Sequence, residues 1–434
     1  MRISTLLCLA LAATPAAAQS PAAPTTSLTL AQAIAMGRER GINAALARLN
    51  ERIANARVGQ RRADLLPSVT LSGSATRQTL NLDEFGLPFA TGVTDPFNLW
   101  RFQVSGRETL FDLSTLARLR SAKDSALAVG ADARAVGELA GATAGIAYLR
   151  ALSAEETVAA RLADSSLSAD LLSQSRQQVS AGVSPAIDAT RSETQFAGVL
   201  TQLEIARNLR DRTRLDLLRA LDLPVATQVT LADTLGNLGA GLPEQPDSAV
   251  SFALEHRAEV KAERTRTKVA ERSLKAIGLE YVPSLTVGGS YQQSGQELSG
   301  LAGSYAIQVA LSIPLLDGFR RPARQQESNA RLDAQKLRQH DLEQQVAVET
   351  RQAVLDLGSA ETQVKLAGDR LRLAEQELAQ ARERFVAGVA GSVETTNAQA
   401  GLVAARDGLI QARVNAAVAR VSVRRALGVL DQTP

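Results

Sequence analysis

Cysteine is almost missing from this chain. The single one, Cys8, lies within the first twenty residues, so the rest of the protein has no disulfide, thiolate metal ligand or cysteine nucleophile. Histidine occurs twice. His256 and His340 stand apart in charged, helix-like sequence, which argues for surface positions and against a metal or general-base cluster. Aromatic residues make up 3% of the chain, low for a single globular core. Charge of one sign is also lacking: 48 Lys and Arg face 45 Asp and Glu, so a net charge of +3 gives no electrostatic case for a nucleic-acid partner. There is no phosphate loop, paired metal-ligand motif or nucleophile elbow, so the chain reads as a non-enzyme without a cofactor or bound metal. No run of ~20 apolar residues is free of charge, so any membrane span must be built as a β-barrel.

What is present begins with "MRISTLLCLALAATPAAAQS". Arg2, the short apolar run Ile3–Ala13 and the small residues Ala16–Ala18 form a secretory signal peptide, expected to occupy residues 1–18. Cys8 follows Leu6 and Leu7 rather than a small residue, so lipid attachment is not expected.

The remainder is a tandem repeat. "LLPSVTLSGS" around Pro67 returns as "YVPSLTVGGS" around Pro283, 216 residues later. "LFD" at Leu110–Asp112 answers "LLD" at Leu315–Asp317, an offset of 205. "SAGVSPAIDATRSE" from Ser180 answers "VAGVAGSVETTNAQ" from Val386, and "LLRALDL" near Leu221 answers "VRRALGV" near Leu427, both at offset 206. Upstream, "AIAMGRERGIN" from Ala33 weakly answers "AVSFALEHRAE" from Ala249, again at 216. The step of about ten residues places an insertion in the first copy, within the loop-like Asn81–Leu99, whose counterpart is Ser294–Ala302.

Each copy contains two alternating strands. Val69, Leu71 and Ala75 alternate with Ser68, Thr70, Ser72 and Ser74, and Trp100, Phe102 and Val104 alternate with Arg101, Gln103 and Ser105. In the second copy Leu285, Val287 and Tyr291 alternate with Thr286, Ser290 and Gln292. Tyr305, Ile307, Val309, Leu311 and Ile313 alternate with Ser304, Gln308 and Ser312. Segments of about ten residues, apolar on one side and small-polar on the other, suit a membrane barrel as well as a half-buried soluble hairpin. The helical sequence separates the two. Ser114–Ala181 and Gly318–Ala387 are continuous helical patterns of roughly 70 residues, rods of about 100 Å, longer than a single globular domain needs. Pro322 falls in the first turns of the second, where proline is tolerated. In that helix Leu357, Val364, Leu371, Leu378 and Phe385 form one heptad column, and Val346, Ala353, Ala360, Ala367, Ala374 and Ala381 a second, smaller one. A soluble periplasmic coiled-coil scaffold is the alternative these heptads allow, but it leaves the paired strands unexplained.

The expected organisation is a first repeat over 19–222 with helix 28–65, strands 66–79 and 99–111, long helix 114–181 and helix 185–221. A segment at the rods' mid-height covers 223–247. The second repeat, 248–434, holds helix 248–280, strands 282–293 and 303–314, long helix 318–387 and helix 392–428. Four strands cannot close a membrane barrel, whose smallest form has about eight, so strands that enter lipid require an oligomer sharing one barrel.

The paired "PSVTLSG"/"PSLTVGG" strand entries, the "LFD" and "LLD" turns, the two "AGV" hairpin turns and the "RALDL" and "RALGVL" helix ends, duplicated and in order, resemble the TolC-like outer-membrane efflux family over essentially the whole mature chain. The resemblance implies an α+β membrane protein: a homotrimer with a twelve-stranded barrel in outer-membrane lipid and a long periplasmic helical tunnel. It implies work with an inner-membrane transporter through a periplasmic adaptor, as an exit duct for efflux or type I secretion. It also implies adaptor contact at the hairpin tips, Gly182, Val183 and Ser184 in the first copy and Gly388, Val389, Gly391 and Ser392 in the second. Glycine permits the tight reversal there, and Ser184 and Ser392 are expected to cap the next helices. The family places two acids three residues apart beyond the second turn; here these positions are Glu394 and Asn397, so only one acid remains for a periplasmic aperture. Asp188 matches an acidic position of the first turn. The arginine some members place in the second turn corresponds to Ala390, leaving Arg191 as a substitute partner.

Overall fold

The computed structural model describes residues 26–85, 91–236 and 246–430. The signal segment 1–18 lies outside them, as do parts of the 81–99 loop and of the 223–247 segment.

The chain runs β1 (Thr26–Leu28), α1 (Leu30–Arg40), α2 (Ile42–Ala63), β2 (Ser68–Gln78), β3 (Phe97–Phe111), α3 (Leu113–Ser180) and α4 (Ala186–Ala220). It continues with β4 (Val229–Leu231), α5 (Pro246–His256), α6 (Ala258–Leu279), β5 (Ser284–Gly295), β6 (Ala302–Ser312), α7 (Arg320–Val386) and α8 (Ser392–Leu427). The two long helices hold 68 and 67 residues and the returning helices 35 and 36, so the repeat seen in sequence is also a repeat of lengths. Helices α2 and α4 lie along α3, and α6 and α8 along α7; α3 also touches α6 and α8, which joins the two repeats side by side.

Two segments expected as single helices are each broken. The 28–65 segment starts as strand β1 and divides at Gly41 (φ −50°, ψ 134°), and the 248–280 segment divides at Arg257 (φ −60°, ψ 132°). The breaks are 216 residues apart, the upstream repeat offset. At Gly41 a Cβ would stand 2.5 Å from the Gly37 carbonyl oxygen, so the kink admits no side chain without movement. At Arg257 the guanidinium is buried, donates twice to Glu259 and once to Glu349 (2.8 Å), and so ties the bend to α7. Burial raises the pKa of Glu259 and Glu349, but hydrogen bonds from Arg257 outweigh it and hold both carboxyls below their ordinary range.

The largest apolar cluster sits near the middle of α3, where Tyr148, Leu149 and Leu152 meet Leu28, Ile34, Leu217, Leu221, Val421 and Leu430. Strand β1 pairs with β4 in parallel there. The Tyr148 hydroxyl donates to the Leu28 carbonyl (3.0 Å), and Asp233 accepts from the Leu30 amide (2.6 Å). The heptad columns of α7 face α8 and α5: Ala374, Leu378 and Ala381 pack on Ala398, Leu402 and Ala405, Ala360 on Ala416 and Ala419, and Val346 on Ala253 of α5. Small residues on both helices allow the close approach.

Beyond the opposite end of the helices lies one antiparallel sheet, ordered β2-β3-β5-β6. Its register lines up like with like. Leu71, Val104, Tyr291 and Tyr305 form one cross-strand row, and Ser72, Gln103, Gln292 and Ser304 the adjacent row on the other face. Eleven residues of β2 span about 36 Å, or roughly 28 Å at a barrel tilt of ~40°, close to a hydrocarbon core. The aspartate of "LFD" is the N-cap of α3, and that of "LLD" stands two residues before Phe319, the N-cap of α7. Asp112 accepts from the amides of Ser114 (2.8 Å) and Thr115 (3.1 Å), and Asp317 from the amide (3.0 Å) and Nε (2.7 Å) of Arg321.

Candidate functional site at the paired hairpin tips

The turns between α3 and α4 and between α7 and α8 end the rods remote from the sheet, and they repeat bond for bond. Gly182 (φ +74°) and Gly388 (φ +71°) hold the left-handed conformation that terminates each long helix. The Val183 amide donates to the Gln178 carbonyl (2.9 Å) and the Val389 amide to Arg384 (3.0 Å); Gly182 and Gly388 donate to Val179 and Phe385. This is the Schellman pattern, in which glycine carries no Cβ penalty. Val183 and Val389 are 65% and 70% exposed. Four residues on, Ile187 and Val393 are also exposed. Sequence reading passed over these two, although both recur at offset 206.

The expected capping roles are not what the serines do. Helix α4 has Pro185 at its N-cap and α8 has Gly391, neither with a side-chain cap. Ser184 Oγ instead donates to Gln178 Oε1 (3.2 Å). Ser392 lies inside the first turn of α8, buried, and donates across the repeats to Asp188 Oδ1 (2.5 Å). Proline and glycine already supply the extended backbone a cap requires, which frees both hydroxyls. Asp188 is buried and has Arg191 at 3.6 Å as a second partner. Thus the structure brings Asp188, Arg191 and Ser392 together. The bond across 204 residues was invisible in sequence because it depends on how the two hairpins are rotated against each other.

Glu394 is exposed in the first turn of α8 and pairs with Arg384 of α7 (2.9 Å). Asn397 is exposed one turn later. The partner of Glu394 sits beyond the turn at a position no motif marks.

Between the hairpins, just above the tips, the contact is polar. Ser168, Ser175, Ser192, Thr395 and Gln399 are buried; Ser175 and Ser192 share a 2.8 Å hydrogen bond within the first hairpin, between α3 and α4. Gln178 Nε2 also donates to the Phe385 carbonyl (3.1 Å). Such contacts contribute only ~1 kcal/mol each, less than an apolar seam of the same area. About 25 Å from the turn, and one helical turn beyond Ser168, a charged network follows. Asp164, 1% exposed, accepts from Arg161 (3.0 Å) and from Arg406 (2.6 Å) of α8, and Arg161 also reaches Asp407. Burial lowers the Arg161 pKa, but Asp407 and Asp164 more than offset it and hold it above the ordinary arginine value. Among the described residues no group of His, Cys, Asp and Glu could hold a metal ion. What this end can do is hold two hairpins together through polar contacts and present paired apolar tips.

The profile of a family described as "Outer membrane efflux protein" matches residues 34–222 and 249–429, both repeats with the mid-height segment left out. The chain belongs to this family. Its relatives include the "Probable efflux pump outer membrane protein TtgC" of Pseudomonas putida, 22% identical over 85% of this chain and 76% of that protein. "Protein CyaE" of Bordetella pertussis is 26% identical over 91% and 85%. Among solved structures, the outer membrane protein VceC of Vibrio cholerae superposes with a TM-score of 0.79 at 17% identity, covering 92% of this chain and 96% of that one. An outer membrane efflux protein sits in the outer membrane and extends into the periplasm.

Ser392→Ala is expected to leave Asp188 buried without its best donor, at a cost of about 2 kcal/mol confined to the tips. Amide exchange should quicken over the first turns of α4 and α8 and stay unchanged around Tyr148; equal protection at the tips would show that the bond carries no weight.

Proposed function

We propose that this protein is the outer-membrane exit duct of a tripartite efflux or type I secretion system, acting as a homotrimer. The observation that carries the reading is the pair of open edges. Among the described residues, strands β2 and β6 are both unpaired on their outer side, and in lipid each unmet backbone group costs several kcal/mol. The helices below the sheet continue these edges as exposed apolar stripes: Ile42, Leu46, Leu49 and Ile53 on α2, and Leu337, Val348, Leu355, Leu366 and Leu373 on α7. One edge of a copy fits the opposite edge of the next. Three copies joined β6 to β2 make twelve strands, and their rods make a helical tunnel beneath.

In this reading the exposed residues Val183, Val389, Ile187 and Val393 meet the helical tips of a periplasmic adaptor, which links the duct to an inner-membrane transporter. Gly182, Ser184, Gly388, Gly391 and Ser392 shape those tips. Asp188, with Arg191 beside it on α4, holds the first hairpin to the second through Ser392, and Asp188, Arg191, Glu394 and Asn397 line the periplasmic aperture. Arg384 neutralises Glu394 in this conformation, so a ring of Glu394 attracts cations only where that pair opens. The protein does no chemistry; energy comes from the transporter.

The expected result is a heat-modifiable trimer in outer-membrane fractions that conducts ions in planar bilayers. A monomer confined to the soluble periplasmic fraction would reject the reading in favour of a scaffold.

A further inference from the structure

The two faces of the sheet differ in charge as well as polarity. Strand β3 places Arg101 and Arg107 on the polar face, where Arg101 lies between Ser74 of β2 and Ser294 of β5. Arg107 lies between Ser68 and Gly288, with Gln308 of β6 next in the row. Small neighbours leave both guanidiniums uncovered, and both residues are exposed. The four strands contain one carboxylate, Glu108, and the register sets it on the apolar face beside Val287 and Val309. The polar face therefore carries two arginines and no acid along its strands. Neither arginine has an ion-pair partner among the described residues. The contrast with the helical region is sharp, since there arginine after arginine is matched to a carboxylate.

We propose that Arg101 and Arg107 make the membrane-spanning part of the duct anion-attracting, so that the barrel favours anionic solutes over cationic ones. The proposal rests on the reading of the polar face as the lumen of a trimeric barrel. Three copies line that lumen with two rings of arginine about 20 Å apart along the strand. Twelve tilted strands enclose a radius of about 12 Å. The Debye length of ~10 Å at 0.1 M salt is comparable, so the positive potential reaches the axis at moderate salt and collapses at ~1 M, where screening acts within ~3 Å. The low-dielectric barrel wall focuses this field inward. Asp83, in a short 3-10 turn, and Asp95 and Glu297, in loops, lie beyond the strand ends, and Glu394 at the far end of the tunnel; all of them stay in place when the two arginines are changed.

The test is the reversal potential of the full-length protein in planar bilayers under a KCl gradient, comparing wild type with the double variant Arg101→Gln/Arg107→Gln. The chloride-to-potassium permeability ratio is expected to fall at least about twofold in the variant at ~0.1 M salt, with the difference largely gone near 1 M. Arg101→Lys/Arg107→Lys should keep the wild-type ratio, and each single glutamine variant should give part of the shift. Assembly of every variant is checked as the heat-modifiable oligomer, so the single variants decide the matter if the double one fails to assemble. A conducting glutamine variant with the wild-type ratio would overturn the proposal. A wild-type protein that does not conduct at all would instead remove the channel reading beneath it.

Discussion

Replacing Gly182 and Gly388 together by valine is expected to abolish export while the sheet and its oligomer survive. Both glycines sit at φ near +70°, where a residue with a Cβ is strained and a β-branched one more so. The strain is about 1–2 kcal/mol at each turn, enough together to shift the native tip conformation by roughly a hundredfold. Nothing lies within 4 Å of a Cβ at Gly182, and only Val183 Cγ1 reaches 4.0 Å at Gly388, so the effect is conformational and not a clash. The damage stays local because the rods are held by packing far from their ends. Asparagine, which tolerates the left-handed region, is the control and should retain most export. Export of cargo in a strain lacking the native gene, measured beside oligomer on gels, separates the outcomes. Full export from the valine variant would remove the tips from the mechanism.

Asp164→Ala is expected to lower stability by about 3 kcal/mol, the largest single-residue effect anticipated in the helical region. Removing this carboxylate takes the ion-pair partner of Arg406 and leaves Arg161, which is largely buried, with Asp407 alone. Taking one partner from a buried ionic cluster costs more than the cluster itself contributes, because the remaining charge is stranded. Thermal unfolding in detergent should shift downward by on the order of 5 °C. A compensating Asp164→Leu/Arg406→Met pair should recover part of the loss. An unchanged midpoint for Asp164→Ala would mean that the network is solvated in the assembled protein.

How much was legible in advance differs by feature. The strands and rods are local periodicities, and residues such as Leu71, Val104 and Leu378 carry them in their own spacing. The breaks at Gly41 and Arg257 were missed because helical periodicity runs through both. The contacts at these points, the clash a Cβ would make with the Gly37 carbonyl at one and the buried guanidinium tied to Glu349 at the other, are not periodic patterns. The tip glycines were legible because a positive φ leaves few choices of residue. The serine roles were misread: Ser184 and Ser392 stand where caps usually stand, but backbone geometry at Pro185 and Gly391 had already met that need.

By itself, then, the sequence determined a twofold repeat of strand pair, long rod and returning helix, with too few strands to close a barrel alone. Period-two and period-seven patterns are properties of the chain near each residue, and two copies of the same pattern reinforce the reading. Tertiary structure alone decided that β3 pairs with β5, that the α7 seam closes on α8 and α5, that Asp188 takes its hydrogen bond from Ser392, and that Arg384 occupies Glu394. Apart from the last, these contacts between segments depend on register and helix rotation: a shift of one residue along a strand, or of about 100° around a helix, would give every side chain a different neighbour. The pair Arg384–Glu394 is shorter in sequence but obeys the same rule, because only the angle of the hairpin turn sets the two side chains face to face.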